Sequence, residues 1–158
     1  MWRREPVDTG PAVVFDIDGV LADAAARQHL LDDTGSRRRN WNAFFDAAGE
    51  DEVIEEVARL TELLDRDLLL VLLTARPVRI RDLTLMWLDR HGLRWDLLVM
   101  RPAGDYSPSP DMKRNAVREL WARGLDLRLA FEDDRRNVEV FHAEGVPCIY
   151  LHSGYYEA

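Results

Sequence analysis

The sequence predicts an α/β fold with three layers, in which a parallel sheet carries helices on both faces and a small cap follows the first strand. Short apolar runs of strand length alternate along the chain with segments of helical period. The runs show little polar alternation, as expected when both faces of a strand are buried. The length of 158 residues suits one domain. We therefore expect a single Rossmann-like domain over residues 1–158.

Five apolar runs predict the strands of this sheet. They cover residues 12–16, 68–74, 97–100, 127–131 and 148–151. Four segments of helical period predict the covering helices, at about 53–64, 78–92, 111–123 and 137–144. Pro77 suits the first turn of the second helix, and a glycine follows each of the last three at Gly92, Gly124 or Gly145. Residues 24–50 contain one or two short helical patterns and are predicted to form the cap over the strand ends.

Composition limits the classes of function. A formal charge of −8 argues against broad, non-specific nucleic-acid binding, although a local basic groove remains compatible with it. The longest apolar run, residues 68–73, is far shorter than the roughly 20 residues of a membrane span, so no membrane partner is expected. One cysteine excludes an internal disulfide, and the charged amino terminus has no signal-peptide pattern. We expect a cytoplasmic protein.

Acidic residues follow the first strand in the segment DIDGVLAD. Asp16 and Asp18 are two positions apart, so their side chains can converge at the carboxyl end of the strand, where open α/β sheets bind ligands. Gly19 allows a sharp turn and a close approach to a ligand. Alone, such a pair is as often a solvated turn as a site.

Two other strand ends bring polar groups to the same edge. Thr74 and Arg76 follow the second strand, and a hydroxyl and a guanidinium suit a phosphate, although a threonine before a helix is commonly a cap. Asp133 and Asp134 follow the fourth strand. Converging aspartates repel one another unless a cation lies among them, and oxygen ligands without His or Cys favour Mg²⁺.

Lys113 is the only lysine among 21 basic residues. It lies near the start of the helix that leads to the acidic fourth strand, where its flexible stem can reach a carboxylate and a phosphoryl group. Taken in isolation, it would be a surface residue.

The ordered motifs DIDGVLAD, LLTAR, DMKRNAV and FEDDRRNV resemble those of the haloacid dehalogenase (HAD) superfamily of phosphotransferases. The resemblance extends from Val13 to Tyr156 and is greatest to the 3′-phosphatase domain of polynucleotide kinase/phosphatase and its stand-alone relatives. Val20 stands where many relatives have Thr. No G-x-x-x-x-G-K-[ST] loop is present, so any kinase activity must belong to another polypeptide.

The resemblance implies a HAD-like fold and a role for each motif residue. Asp16 would be the nucleophile that forms an aspartyl-phosphate, and Asp18 the general acid and base. Thr74 and Lys113 would hold the phosphoryl group, and Arg76 that group or the substrate beyond it. Mg²⁺ would be held by Asp16, the backbone carbonyl of Asp18, and Asp133 or Asp134.

The expected substrate is a phosphomonoester, with the 3′-phosphate of a DNA or RNA end foremost, and a separate kinase or ligase is a candidate partner. Arg38 and Trp41 combine charge and aromatic surface on the cap, as in single-strand binding proteins. Trp41 is also spaced like the inner face of a short helix.

Two alternatives remain open. The chain could be a phosphatase of nucleotides or small metabolites. It could also be a non-enzymatic, phospho-dependent signalling module, but such receiver domains place their acceptor aspartate after the third strand, where this chain has Arg101.

Overall fold

The computed structural model describes residues 1–32 and 39–156. Its main sheet has five parallel strands in the order β5-β4-β1-β6-β7. Two further short strands, β2 and β3, form an antiparallel pair. The seven strands in this part of the chain are β1 (Gly10–Phe15), β2 (Ala22–Asp23), β3 (Glu52–Val53), β4 (Leu69–Pro77), β5 (Leu97–Arg101), β6 (Leu125–Glu132) and β7 (Cys148–Tyr150).

Helices cover both faces of the sheet. Val13 and Phe15 of β1 pack on one face in a cluster that includes Trp87, whereas Val14 packs on the other with Phe141. The first cluster involves α3 and α4, and the second α5 and α6. Within the described residues, the six helices are α1 (His29–Asp32), α2 (Trp41–Asp46), α3 (Glu55–Leu63), α4 (Arg81–Arg90), α5 (Ser109–Ala122) and α6 (Arg135–Ala143).

Between β2 and β3, the described residues 24–32 and 39–50 form short helical elements, namely α1, α2 and two 3₁₀ turns. Three contacts fix this segment and its carboxyl end to the main body. Arg79 pairs with Asp46 at 2.5 Å, Arg90 donates to the Gly49 carbonyl at 2.9 Å, and Trp87 donates to the carbonyl of the adjoining Asp51 at 2.8 Å.

The predicted α/β fold with a parallel sheet, helices on both faces and a small insertion is confirmed. Several elements extend beyond their predicted bounds, and two of these extensions have a clear local cause. β4 continues through Arg76 to Pro77, because ion pairs keep Arg76 buried beyond the apolar run. α6 begins two residues early, at Arg135, because the preceding Asp134 caps it. No helix among the described residues combines the length and hydropathy that a membrane span requires.

Candidate active site

Asp16 follows β1 at the carboxyl edge of the sheet and is buried beside the only lysine. Lys113, in the first turns of α5, places its Nζ 2.9 Å from Asp16 Oδ2. The other carboxylate oxygen, Oδ1, accepts the Ile17 amide at 2.8 Å. Burial and then Glu132 raise the pKa of Asp16 well above its ordinary value, and Lys113 opposes them. The contacts with Lys113 and with the Ile17 amide therefore hold the Asp16 carboxylate at the end of β1.

Glu132, the last residue of β6, is a site residue that the sequence analysis missed. It is fully buried, and its Oε2 accepts Lys113 Nζ at 2.5 Å. Its Oε1 accepts the amides of Asp133 and Asp134, both at 3.1 Å. Glu132 therefore orients both the lysine and the turn that carries the acid pair. A glutamate ending an apolar strand directly before two aspartates was the available signal.

Asp133 completes a cluster of three carboxylates. Ligand oxygens of Asp16, Glu132 and Asp133 all lie within 4.8 Å of one another. Both carboxylate oxygens of Asp133 are buried and accept no hydrogen bond of standard geometry. Burial and then Asp16 raise the pKa of Asp133 to about 7, although the Ser153 hydroxyl opposes the shift. A divalent cation would satisfy these oxygens, so the residues present fit a metal of the kind that carboxylates bind.

Gly19 allows the turn after β1 to approach Asp133 closely. Its φ is +80°, and a Cβ built on it would lie 2.0 Å from Asp133 Oδ2. Only glycine fits this position, both for the backbone conformation and for the space. The turn thereby brings the end of β1 against the end of β6.

Asp134 points to a different partner. Its side chain accepts the backbone amide of Arg136 at 3.0 Å, which caps α6, and it pairs with the Arg136 guanidinium at 2.7 Å. Of the two predicted metal ligands after β6, Asp133 therefore lies in the carboxylate cluster, and the carboxylate of Asp134 serves the helix.

Asp18 lies between two arginines at the other side of the turn. Arg76 donates to Asp18 Oδ1 at 2.6 Å, and Arg27, from the 3₁₀ turn after β2, donates to the same oxygen at 2.5 Å. Both guanidiniums also contact Asp51, at 3.3 Å and 2.6 Å respectively. Two buried cations and two carboxylates thus form a balanced network that holds Asp18 in one orientation.

This network sets the charge of Asp18. Burial alone would raise its pKa, but Arg76 and then Arg27 outweigh burial and lower the pKa to about 2. Asp18 is consequently ionised at neutral pH in this arrangement.

Thr74 and Arg76 both lie in β4, but their side chains contact other protein groups, which a role in phosphate binding alone does not predict. The Thr74 side chain is buried, and its hydroxyl accepts the Arg76 amide at 3.1 Å. Arg76 is fully buried and directed at Asp18, Asp51 and, at 3.4 Å, the Thr84 hydroxyl. The structure therefore brings Arg76 to Asp18 rather than to open solvent.

The two predicted contacts on the cap have different outcomes. Arg38 lies outside the described residues. Trp41 is 45% exposed and stacks on Phe45 with a 5.8 Å ring separation. Its ring also meets the Phe44 ring at close to a right angle, and the centre of the Phe44 ring lies 4.1 Å from the Arg27 guanidinium. A continuous set of contacts thus runs from the exposed Trp41 to the residue that orients Asp18.

Comparison with known proteins gives one family match. The sequence model of the family described as polynucleotide kinase PNKP phosphatase domain matches residues 10–156. No curated protein matches the chain significantly.

Solved structures share the fold. A chain from the Pnkp1/Rnl/Hen1 RNA repair complex is 22% identical with a TM-score of 0.70, over 96% of this chain and 45% of that chain. A second Pnkp1/Rnl/Hen1 structure gives 21% and 0.73, over 96% and 48%. The class C acid phosphatase from Bacillus anthracis with tungstate bound gives 18% and 0.63, over 94% and 68%. This chain thus spans a little under half of the first two chains that it matches.

Proposed function

Since the chain belongs to the family of polynucleotide kinase PNKP phosphatase domains, a family of HAD superfamily phosphatases, we propose that it removes the 3′-phosphate from nucleic-acid ends. The reaction is a Mg²⁺-dependent phosphomonoester hydrolysis through an aspartyl-phosphate on Asp16. The observation that carries the proposal is the Asp16–Lys113–Glu132 arrangement, in which one buried ammonium contacts both carboxylates. Uncatalysed hydrolysis of phosphate monoesters is among the slowest reactions, and a covalent intermediate divides its barrier.

In the first step, a carboxylate oxygen of Asp16 attacks phosphorus, and the bond between phosphorus and the 3′ oxygen breaks. Lys113 neutralises charge on the phosphoryl oxygens, and the Thr74 hydroxyl helps to position them. Burial opposes the charge of Lys113, but Asp16 and then Glu132 outweigh it and raise the pKa, so the lysine keeps its proton throughout. Positioning and charge neutralisation supply most of the catalysis of phosphoryl transfer.

Asp18 handles the protons of both steps. It gives a proton to the departing 3′ oxygen, and then takes one from the water that attacks the aspartyl-phosphate, which releases inorganic phosphate and restores Asp16. The arginine pair favours the ionised form, which suits the second step. A bound phosphate dianion beside Asp18 adds negative charge and raises its pKa, which favours the protonated form needed in the first step.

Asp16 and Asp133, with the backbone carbonyl of Asp18, are the groups that would hold Mg²⁺. When bound, the cation neutralises charge on the phosphoryl group and on the nucleophile. Glu132 is less suited to this role, because Lys113 and two amides occupy both of its oxygens. The Asp134 side chain would act from the next position by fixing the start of α6.

Nucleic-acid ends are the favoured substrate class, because the family is that of a polynucleotide phosphatase and the cap presents an exposed tryptophan. Arg38 and Trp41 would contact the chain beyond the phosphate. A structural relative occurs in an RNA repair complex, which supports a separate kinase or ligase as a partner. We further infer that residues 1–158 form one cytoplasmic phosphatase domain.

A screen of phosphomonoesters tests the proposal. The substrates are DNA and RNA oligonucleotides with a 3′- or 5′-phosphate, a 3′-phosphorylated mononucleotide and p-nitrophenyl phosphate, each with Mg²⁺ or EDTA. The highest kcat/KM is expected for 3′-phosphorylated oligonucleotides. Equal values for the oligonucleotide and the mononucleotide would instead indicate a metabolite phosphatase.

The nucleophile is tested with Asp16→Asn and, as a control, Asp111→Asn in an exposed pair with Arg114. We expect Asp16→Asn to lose activity by at least about a thousandfold on every substrate while its unfolding transition stays cooperative, since the change removes the attacking carboxylate. Acid quenching with substrate labelled at the phosphate should trap label on the wild-type chain only. Full activity of Asp16→Asn would remove Asp16 from this role.

A further inference from the structure

Two arginines and two tyrosines pair at the start of α6. The Arg135 guanidinium lies 4.3 Å from the centre of the Tyr150 ring, and the Arg136 guanidinium lies 5.9 Å from that of Tyr156. The Tyr150 ring also contacts His152, with a 6.4 Å ring separation. We call these five residues the arginine–tyrosine surface.

This surface is exposed and positively charged in a chain whose net charge is −8. The Arg136 side chain is 64% exposed and Tyr156 is 50% exposed. Arg136 pairs with Asp134, but Arg135 forms no ion pair with any carboxylate in the described part of the chain. An unpaired guanidinium over an aromatic ring suits an anionic ligand that also carries flat rings.

The surface adjoins the carboxylate cluster. Arg135 follows Asp134 directly in the chain, and two hydrogen bonds hold the carboxyl-terminal segment that carries Tyr156, one of them to Glu132 of the carboxylate cluster. The Leu151 amide donates to the Glu132 carbonyl at 2.9 Å, and the Tyr155 hydroxyl donates to Asp23 at 2.9 Å. A ligand on this surface would therefore lie next to the phosphoryl site.

From this juxtaposition we propose that the arginine–tyrosine surface binds the single-stranded nucleic acid immediately upstream of the 3′ end, with bases stacked on the tyrosines and backbone phosphates on the arginines. The inference rests on the proposed function and adds a second nucleic-acid contact region. This region comes from the carboxyl-terminal part of the chain, whereas the cap lies near the amino terminus. Single-strand binding sites combine aromatic platforms with cationic groups that follow the backbone. An acidic peptide would satisfy the arginines but would not use the rings.

The test uses Arg135→Gln, with Arg128→Gln as a matched control. Arg128 is 64% exposed and pairs with Asp126 on β6, away from the carboxyl edge of the sheet. KM is measured for a 3′-phosphorylated single-stranded 10-mer and for p-nitrophenyl phosphate, and binding of the 3′-hydroxyl product strand is measured by fluorescence anisotropy. We expect Arg135→Gln to weaken oligonucleotide binding about five- to tenfold. The slope of the logarithm of the binding constant against the logarithm of the salt concentration should fall in magnitude by about 0.7. Arg128→Gln should change neither.

Tyrosine variants separate stacking from charge. Tyr156→Phe should bind the strand like the wild type, whereas Tyr156→Ala should lose affinity about five- to tenfold, because only the latter removes the ring. An acidic peptide that competes for the surface without any effect of Tyr156→Ala would overturn the proposal.

The outcomes for the two proposals are distinct. If the wild type hydrolyses the 10-mer and Arg135→Gln matches Arg128→Gln in KM and in salt dependence, the proposed binding surface is wrong. The proposed function then stands. If the wild type binds the product strand through Arg135 but does not hydrolyse the 10-mer, the surface stands and the 3′-phosphatase assignment fails. A wild type that neither binds nor hydrolyses the strand overturns both.

Discussion

Arg27 joins the cap to the turn that carries Asp18. Its guanidinium contacts both Asp18 and Asp51 and donates to the Phe44 carbonyl at 3.1 Å, while its side chain is only 3% exposed. In the proposed mechanism it acts on the reaction only through the Asp18 carboxylate, which it orients, so it is a positioning residue. Its removal would leave two buried carboxylates with one cation, Arg76, between them.

We predict that Arg27→Gln lowers kcat by about ten- to a hundredfold with a smaller change in KM, because Asp18 loses one of the two groups that orient it. The free energy of unfolding should fall by about 3–5 kcal/mol, the usual cost of breaking a buried ion pair. Steady-state kinetics and urea unfolding measure the two effects. Arg79→Gln, which removes an exposed pair with Asp46, is the control and should cost less than about 1 kcal/mol. An unchanged kcat for Arg27→Gln would contradict the positioning role.

Sequence patterns could locate some of these residues and not others. The strand-end rule was enough to expect Asp16 and Asp133 at one edge, and the motif resemblance added Lys113; the structure brings all three together there, and their roles remain predictions. The same pattern gave no means of separating Asp133 from Asp134, because the difference is whether a side chain turns back to cap a helix. Arg27 was missed because it follows no strand of the main sheet and becomes a neighbour of Asp18 only through the fold of the cap.

Cys148 should be chemically inert in the folded chain. Burial and then Glu132 raise the pKa of its thiol to about 12, so the thiolate that reacts is scarce at pH 8. We expect alkylation by iodoacetamide at pH 8 to be roughly a thousandfold slower than in the chain unfolded by guanidinium, and to accelerate as the pH rises toward 12. Mass spectrometry of timed samples measures the rates. Equally fast labelling of folded and unfolded protein would show that the thiol is not perturbed.

At the scale of elements, the turn after β1 controls the distance between the two acid-bearing strand ends. We predict that Gly19→Ala lowers activity more than tenfold and destabilises the fold, because the new Cβ would lie 2.0 Å from Asp133 Oδ2 in a backbone at φ +80°. Gly145→Ala is the matched control. Its φ is +82° with nothing within 4 Å of the added Cβ, so it carries the backbone strain alone. Kinetics and thermal unfolding of both variants give the contribution of the contact, and equal behaviour would mean that Asp133 moves aside at little cost.

The regular elements were more predictable than the short ones. Helical period identified α3 to α6, since each buries a stripe of apolar side chains against the sheet. The two-residue strands β2 and β3 carry no sequence pattern, and their pairing depends on the cap returning to the main body. β4 ends later than its apolar run because Asp18 neutralises the charge of Arg76 inside the protein. Composition does not reveal this pairing.

At the scale of the whole molecule, metal binding should stabilise the fold, because a ligand that binds only the folded state shifts the unfolding equilibrium. We predict that Mg²⁺ at about a hundred times its Kd adds about 2.7 kcal/mol, or on the order of 5–10 °C in Tm. Asp133→Asn should abolish this shift. Asp134→Asn should retain it, since asparagine caps a helix as well as aspartate. Thermal unfolding with and without Mg²⁺ measures these shifts, and the reverse pattern would identify Asp134 as the ligand.

The isolation of Lys113 has a practical consequence. The chain has no other ε-amino group, and this one is enclosed by Asp16 and Glu132 without exposed surface. Acylating reagents and amine-directed crosslinkers therefore find no lysine side chain on the folded surface. Acylation of Lys113 would occur only when the interior opens, and its rate would report how often that opening happens.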